Sequence, residues 1–231
     1  MNSKNSQIRV QARYLLDDNI FGKDWTKAAF VHILVDVIIG LIGGGLFTAL
    51  NSSVIPYLMN LVIDKSIILY YSIPVFIALL ELLVLYSLIG PIEIGFAAVY
   101  MNLVKGEGKV TIRKFFTGFK SFFANAILGF MFMLQVALWS LLFVVPGIYM
   151  AYTYALVFHV KADHPEYSWK YCFDESERLM EGRRFKLFRL QISHIGWFIV
   201  GTAFVIIGSF WAEPYLQTST AIFYEEAKAS R

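Results

Sequence analysis

Residues 139–163 read WSLLFVVPGIYMAYTYALVFHVKAD. An apolar run meets Pro146-Gly147, a shorter aromatic-rich run follows, and the stretch ends in charge. The same pattern occurs in residues 83–106, LVLYSLIGPIEIGFAAVYMNLVKG, interrupted at Pro91. It occurs again in residues 204–228, FVIIGSFWAEPYLQTSTAIFYEEAK, interrupted at Pro214. Proline removes a backbone donor and its ring clashes with the preceding turn, so each one is expected to break or kink an apolar helix. Three such units predict an all-α, multi-pass transmembrane bundle of about six membrane segments, folded as a single integral membrane domain over residues 1–231.

Composition supports a lipid-solvated chain. Of the 231 residues, 58% are hydrophobic and only 16% are charged, against about 25% charged in an ordinary soluble domain. Too little polar surface remains to coat a water-soluble globule. The net charge of +3 is small, and no basic stripe stands apart from the membrane flanks, so no nucleic-acid partner is expected. The single cysteine, Cys172, leaves no partner for an internal disulfide and no basis for a cysteine metal cluster. The first apolar run starts only near Ala28, behind a charged segment, and is too long for a signal core, so Met1 is expected to be retained.

Taken in order, residues 1–27 form an amphipathic segment with Ile8, Ala12, Leu15 and Leu16 at helical spacing, as in an interfacial helix. Membrane segments are expected over 28–50, 67–104, 122–145, 147–160, 188–211 and 215–224. Gly40 and Gly44 on the first make a GxxxG pair, read here as a close-packing surface for another helix of the chain. Residues 51–66 read as a short polar connection. The 38 residues of 67–104 are too long for one simple crossing, and Pro91 is read as a break within a single crossing. Residues 105–120 are basic, with Ile112, Phe115, Phe116 and Phe119 at helical spacing: either an interfacial helix or one covering the bundle. Residues 161–187 are a second charged amphipathic segment. There Pro165 can start a helix, Trp169, Cys172, Phe173, Ser176, Leu179 and Met180 form the inner face, and Gly182 can end it.

Charge asymmetry selects the topology. If Pro146-Gly147 and Pro214 mark hairpins, 19 of the 20 Lys and Arg residues share one side with both termini, and only Lys65 lies opposite. If they are mere kinks, residues 161–189 change sides and the split becomes 12 to 8. The positive-inside rule favours the hairpins, with both termini cytoplasmic.

Intramembrane ionisable residues are the default functional lead. His32 and Asp36 share a helix face four residues apart, and Glu81 and Glu93 flank the second proline-broken region. Together these four are the candidate ligand site or ion pathway. A purely structural reading stands beside it: Asp36 pairs with His32, and the glutamates bond to tyrosines or to backbone freed by Pro91. His159 and His194 lie near segment ends and read as interfacial. No P-loop, GxSxG, HExxH or dinucleotide fingerprint appears. No catalytic residue, metal or cofactor is therefore expected.

The elements GPIEIGFAAVYMNLVKGE, LWSLLFVVPGIYMAYTYALVFHVKADHP, SERLMEGRRFKLFRLQISHIGW and WAEPYLQTSTAIFYE resemble an uncharacterised bacterial integral membrane family, domain of unknown function 975. The resemblance covers roughly residues 10–226. Similar patterning occurs in the membrane domain of some glycerophosphodiester phosphodiesterases. The resemblance implies a multi-pass protein of the bacterial plasma membrane and supplies no reaction. The expectation is a non-enzymatic protein of envelope homeostasis or protection. It would act by binding membrane lipids, a membrane-protein partner or a second copy of itself. The alternatives are a small transporter or channel using the intramembrane carboxylates, and a membrane-embedded enzyme acting on lipid.

Overall fold

The computed structural model describes residues 4–17, 22–62, 66–196 and 207–230. Lys65 and the middle of the expected segment 188–211 lie outside the described residues. Eleven α-helices follow in order among the described residues: α1 (Asn5–Leu15), α2 (Lys23–Ala49), α3 (Ile55–Val62), α4 (Ile67–Val104), α5 (Ile112–Phe115), α6 (Phe122–Leu142), α7 (Val144–Thr153), α8 (Val157–Asp163), α9 (Trp169–Met180), α10 (Arg184–Ile192) and α11 (Ile207–Ala229). No strand occurs among the described residues.

Three stretches of the described residues are long and apolar enough to cross a bilayer: Lys23–Val62, Tyr70–Val104 and Phe122–Leu142. The first is 40 residues, about 60 Å of helix, twice the hydrocarbon thickness of about 30 Å. Burial explains the excess length. In α2 every buried residue lies between Asp24 and Val35. In α4 the buried residues run from Gly90 to Leu103, with Ile77 the one exception. The charged ends of both helices therefore sit in a protein base, and their far ends present Leu41, Phe47, Leu79 and Leu83 outward.

The part of the expected polar connection 51–66 that is described up to Val62 is helical; 63–65 lie outside the described residues. A π-helical turn at Leu50–Val54 joins α2 to α3, and helix continues to Val62. Thr48, Asn51 and Ser52 return their side-chain donors to the carbonyls of Gly44, Phe47 and Thr48, which satisfies them without water. The wide turn just before Pro56 gives its ring room.

The chain reverses after α6. Phe143 is extended (φ −158°, ψ 148°), so the break falls three residues before Pro146, which lies in the first turn of α7, where a missing donor costs little. Gly147 lies against Ser140, leaving no room for a side chain there. Helices α7 and α8 then return to the charged end, where Asp163 meets Lys105 (2.5 Å) and Lys228. The hairpin expected at Pro146-Gly147 is therefore present.

The breaks expected at Pro91 and Pro214 are absent. Both prolines lie inside continuous helices, α4 and α11. Around Pro91 the packing is backbone to backbone: a Cβ on Gly90 would fall on the Asn125 carbonyl, and one on Gly118 would lie 2.6 Å from the Gly95 nitrogen. These contacts brace α4 on either side of Pro91, where an isolated helix would yield. Helices α10 and α11 run antiparallel, with Lys186 on Glu226 (3.1 Å) and His194 on Ser219 (3.1 Å). Helix α11 thus passes through Pro214 without reversing there.

Three other expectations are corrected. The GxxxG pair packs against nothing: Gly40 and Gly44 have no atom within 4 Å of where a Cβ would be. Close approach uses Gly90, Gly95, Gly118 and Gly129 instead. The 105–120 segment is not one amphipathic helix but α5 and a 3-10 turn, Phe116–Phe119, with Phe115 buried on α4 and Phe116 facing out. Helix α1 is not interfacial, since Ile8, Ala12 and Leu16 are fully buried against the base. Each large side chain there contributes about 1.5–3 kcal/mol by burial, so protein outcompetes the headgroup layer.

Helix α9 is capped by Ser168, which accepts from the Tyr171 amide, and it buries Cys172, Phe173, Ser176, Leu179 and Met180; Trp169, expected on the same face, is only half-buried at the start of the helix. Gly182 follows at φ +69°, a conformation glycine adopts without strain.

Candidate functional site

The four sequence candidates do not converge. His32 is committed to structure: its Nε2 lies 2.8 Å from the Tyr100 hydroxyl and its ring stacks on Phe96 at 3.9 Å. It does not pair with Asp36, which sits one turn further along α2 and faces out from the protein. Glu81 is twelve residues before Glu93 on α4, about 18 Å away along the helix.

Glu93 does reach an interior space. It lines a cavity of about 450 Å3 between α4, α6, α7, α8, α10 and α11, together with Tyr152, His159, Gln191, Gln217 and Thr220. Phe132, Phe158 and Leu216 give it apolar walls. Some of its polar groups are already paired. The Tyr152 hydroxyl donates to Gln191 Oε1 (2.8 Å), and Thr220 donates to the Leu216 carbonyl (3.0 Å). Gln217 Nε2 donates to Glu213 Oε1 at 3.3 Å.

His159 is the exception. It is 5% exposed, and neither ring nitrogen has a hydrogen-bond partner among the described residues. It is therefore not interfacial. A buried donor and acceptor left unmade cost about 1–3 kcal/mol each, a cost that an occupant of the cavity would remove. His194, also read as interfacial, is fully buried but satisfied by the Leu190 carbonyl (2.7 Å) and Ser219 (3.1 Å).

Glu213, on α11 beside Pro214, is the residue that sequence reasoning missed. The charges of Glu213 on α11 and, more weakly, of the outward-facing Asp36 on α2 reach Glu93. The signal was present: Glu213, Gln217 and Thr220 recur at i, i+4 and i+7, a polar stripe on an apolar helix. Neighbouring carboxyls in an apolar setting either take up a proton or hold a cation or hydrogen-bond donor.

No cluster among the described residues has the make-up of a metal site. Cys172 is buried, and burial pushes its thiol up to about 11, so at neutral pH it is a packing residue and not a nucleophile.

No curated protein and no solved structure matches the chain. The likeness to the membrane domain of glycerophosphodiester phosphodiesterases thus finds no support. The stretch that does match a family runs from the end of α6 through the Pro146 reversal and the His159 wall of the cavity to α11. Residues 141–231 match the family model described as Protein of unknown function (DUF975), which fits an uncharacterised family.

Proposed function

We propose that the chain is a non-enzymatic protein of the bacterial plasma membrane that serves envelope protection by binding, and that the Glu93–His159 cavity is where it binds. Both termini are cytoplasmic in this reading, because the cationic segments gather at one end of the bundle. The observation that carries it is that a carboxylate, Glu93, and a buried imidazole, His159, neither with a hydrogen-bond partner among the described residues, line one space of ligand size. The ligand class is a cationic amphiphile. An ammonium has three donors, and Glu93, His159 and the Gln191 and Gln217 amides supply acceptors around it. The apolar walls receive the adjoining carbon chain.

The test is titration of the protein in nanodiscs with dodecylammonium, with dodecanol as the uncharged control. Saturable binding of the amine is expected, weakened about tenfold or more by Glu93→Gln. Equal partitioning of amine and alcohol, unchanged by the substitution, would refute the reading.

A second reading rests on the charges of Glu213 on α11 and Asp36 on α2 reaching Glu93 on α4. It makes the same cavity a waypoint for cation transport. Proteoliposomes that accumulate a labelled amine down a gradient would favour it over static binding. In this reading the number of true crossings stays at about six.

A further inference from the structure

A second pocket lies at the charged end, away from Glu93. It has a volume of about 300 Å3 and lies where the turn before α6 meets the end of α8. Its polar lining is Lys114, Thr117, Lys120, Ser121, Asn125 and Lys161; its floor is Ile94 and Ala98 of α4. Three cations line it and no carboxylate does.

Lys161 is the central observation. It is 5% exposed, and among the described residues its ammonium donates only to the neutral carbonyls of Pro165 (2.7 Å) and Tyr167 (2.6 Å). A buried ammonium without an anion is costly, and proteins pair such charges. The nearest carboxylate in sequence, Asp163, is already held by Lys105 and Lys228. Lys114 and Lys120 have no ion-pair partner among the described residues.

Asn125 is the second. It is 4% exposed; its Nδ2 donates to the Gly118 carbonyl (2.6 Å), while its Oδ1 has no partner. That oxygen can accept a hydroxyl hydrogen from an occupant. Ser121 is the N-cap of α6, yet its side chain makes no capping bond. Its hydroxyl, which lines the pocket, can therefore meet an anion there.

We propose that this pocket binds a phosphoryl group bearing a hydroxyl-containing substituent, with Lys114, Lys120 and Lys161 neutralising the oxyanion and Asn125 Oδ1 accepting from the hydroxyl. Phosphatidylglycerol in the bilayer and free glycerol 3-phosphate share that chemistry. The exposed Phe116 and Phe123 flank the turn and place it at the membrane boundary, where either source could arrive. The assignment is independent of the Glu93 cavity.

The test uses the full chain with Lys114→Gln/Lys120→Gln, and Lys23→Gln/Lys27→Gln as a variant of equal charge loss elsewhere. Native mass spectrometry from mixed phosphatidylglycerol and phosphatidylcholine vesicles reads retained lipid, and thermal stability in detergent reads glycerol 3-phosphate. The expected result is at least about a tenfold loss of phosphatidylglycerol adducts in the pocket variant only. Loss of glycerol 3-phosphate stabilisation in that variant, with lipid adducts unchanged, would support the site and assign it a soluble ligand. If the two variants behave alike in both measurements, the pocket holds no phosphoryl group and the proposal is overturned.

Discussion

Gly90 and Gly129 meet where α4 and α6 cross, so closely that a Cβ on Gly129 would lie 2.6 Å from the Gly90 Cα. No rotamer can relieve a clash between backbones. Gly129→Ala should therefore force the helices apart and cost about 1–3 kcal/mol or more. Gly44→Ala, on a helix face with nothing within 4 Å, should be neutral or stabilising by up to about 1 kcal/mol through helix propensity. Thermal unfolding in detergent distinguishes them. Equal melting temperatures for the two variants would contradict the crossing.

That contrast also shows what the sequence could and could not reveal. Apolar length and charge runs announced a membrane-associated helical chain, and the inner face of α9 was readable from spacing alone. The close-packing glycines were not, because GxxxG at Gly40 and Gly44 is a local pattern, whereas Gly90, Gly95, Gly118 and Gly129 acquire their role only through neighbours distant in sequence. Pro91 and Pro214 failed as markers for a related reason: packing around a helix can hold it through a proline. Pro146 succeeded because it begins a helix. His159 looked peripheral by its place near a segment end. Its burial depends on α11 folding back over it, with Tyr224 at 5.7 Å between ring centroids.

Asp163 ties the ends of α4, α8 and α11 together. Burial opposes its charge, but hydrogen bonds from Lys105 and Lys228 outweigh this and hold its carboxyl down to about 2, against an ordinary 3.8. A depressed carboxyl stabilises the fold above its unfolded value, and the contribution is lost as pH falls through the folded one. Stability should thus decline between about pH 4 and pH 2. Asp163→Asn should remove that portion of the decline and cost on the order of 1–2 kcal/mol at pH 7, after discounting for the partly exposed lysines. Denaturant midpoints measured across this range check it; an unchanged acid limb in the variant would contradict the role.

Cys172 is fully buried with its thiol pushed up to about 11, so it should resist maleimide at pH 7 in the folded protein and react only on unfolding. It is consequently unsuited to reporting sidedness. A Cys172→Ala background carrying Glu177→Cys, on the exposed face of α9, supplies the reporter. Labelling of that thiol only after the cell is permeabilised is the expected outcome. Labelling by an impermeant reagent in intact cells would reverse the assigned orientation.

His159 separates binding from stability. Its two ring nitrogens are buried without partners, so replacing it with an apolar side chain of similar breadth removes an unmet demand and not a contact. His159→Phe should leave the unliganded protein as stable as before or more so, by about 1 kcal/mol. The same variant should lose dodecylammonium binding, because the imidazole acceptor facing Glu93's cavity is gone. A residue serving only the fold would show the opposite pairing: a lower melting temperature with binding intact among the folded molecules. Thermal unfolding and amine titration on one preparation decide between the two, and a destabilised variant that still binds would assign His159 to the core.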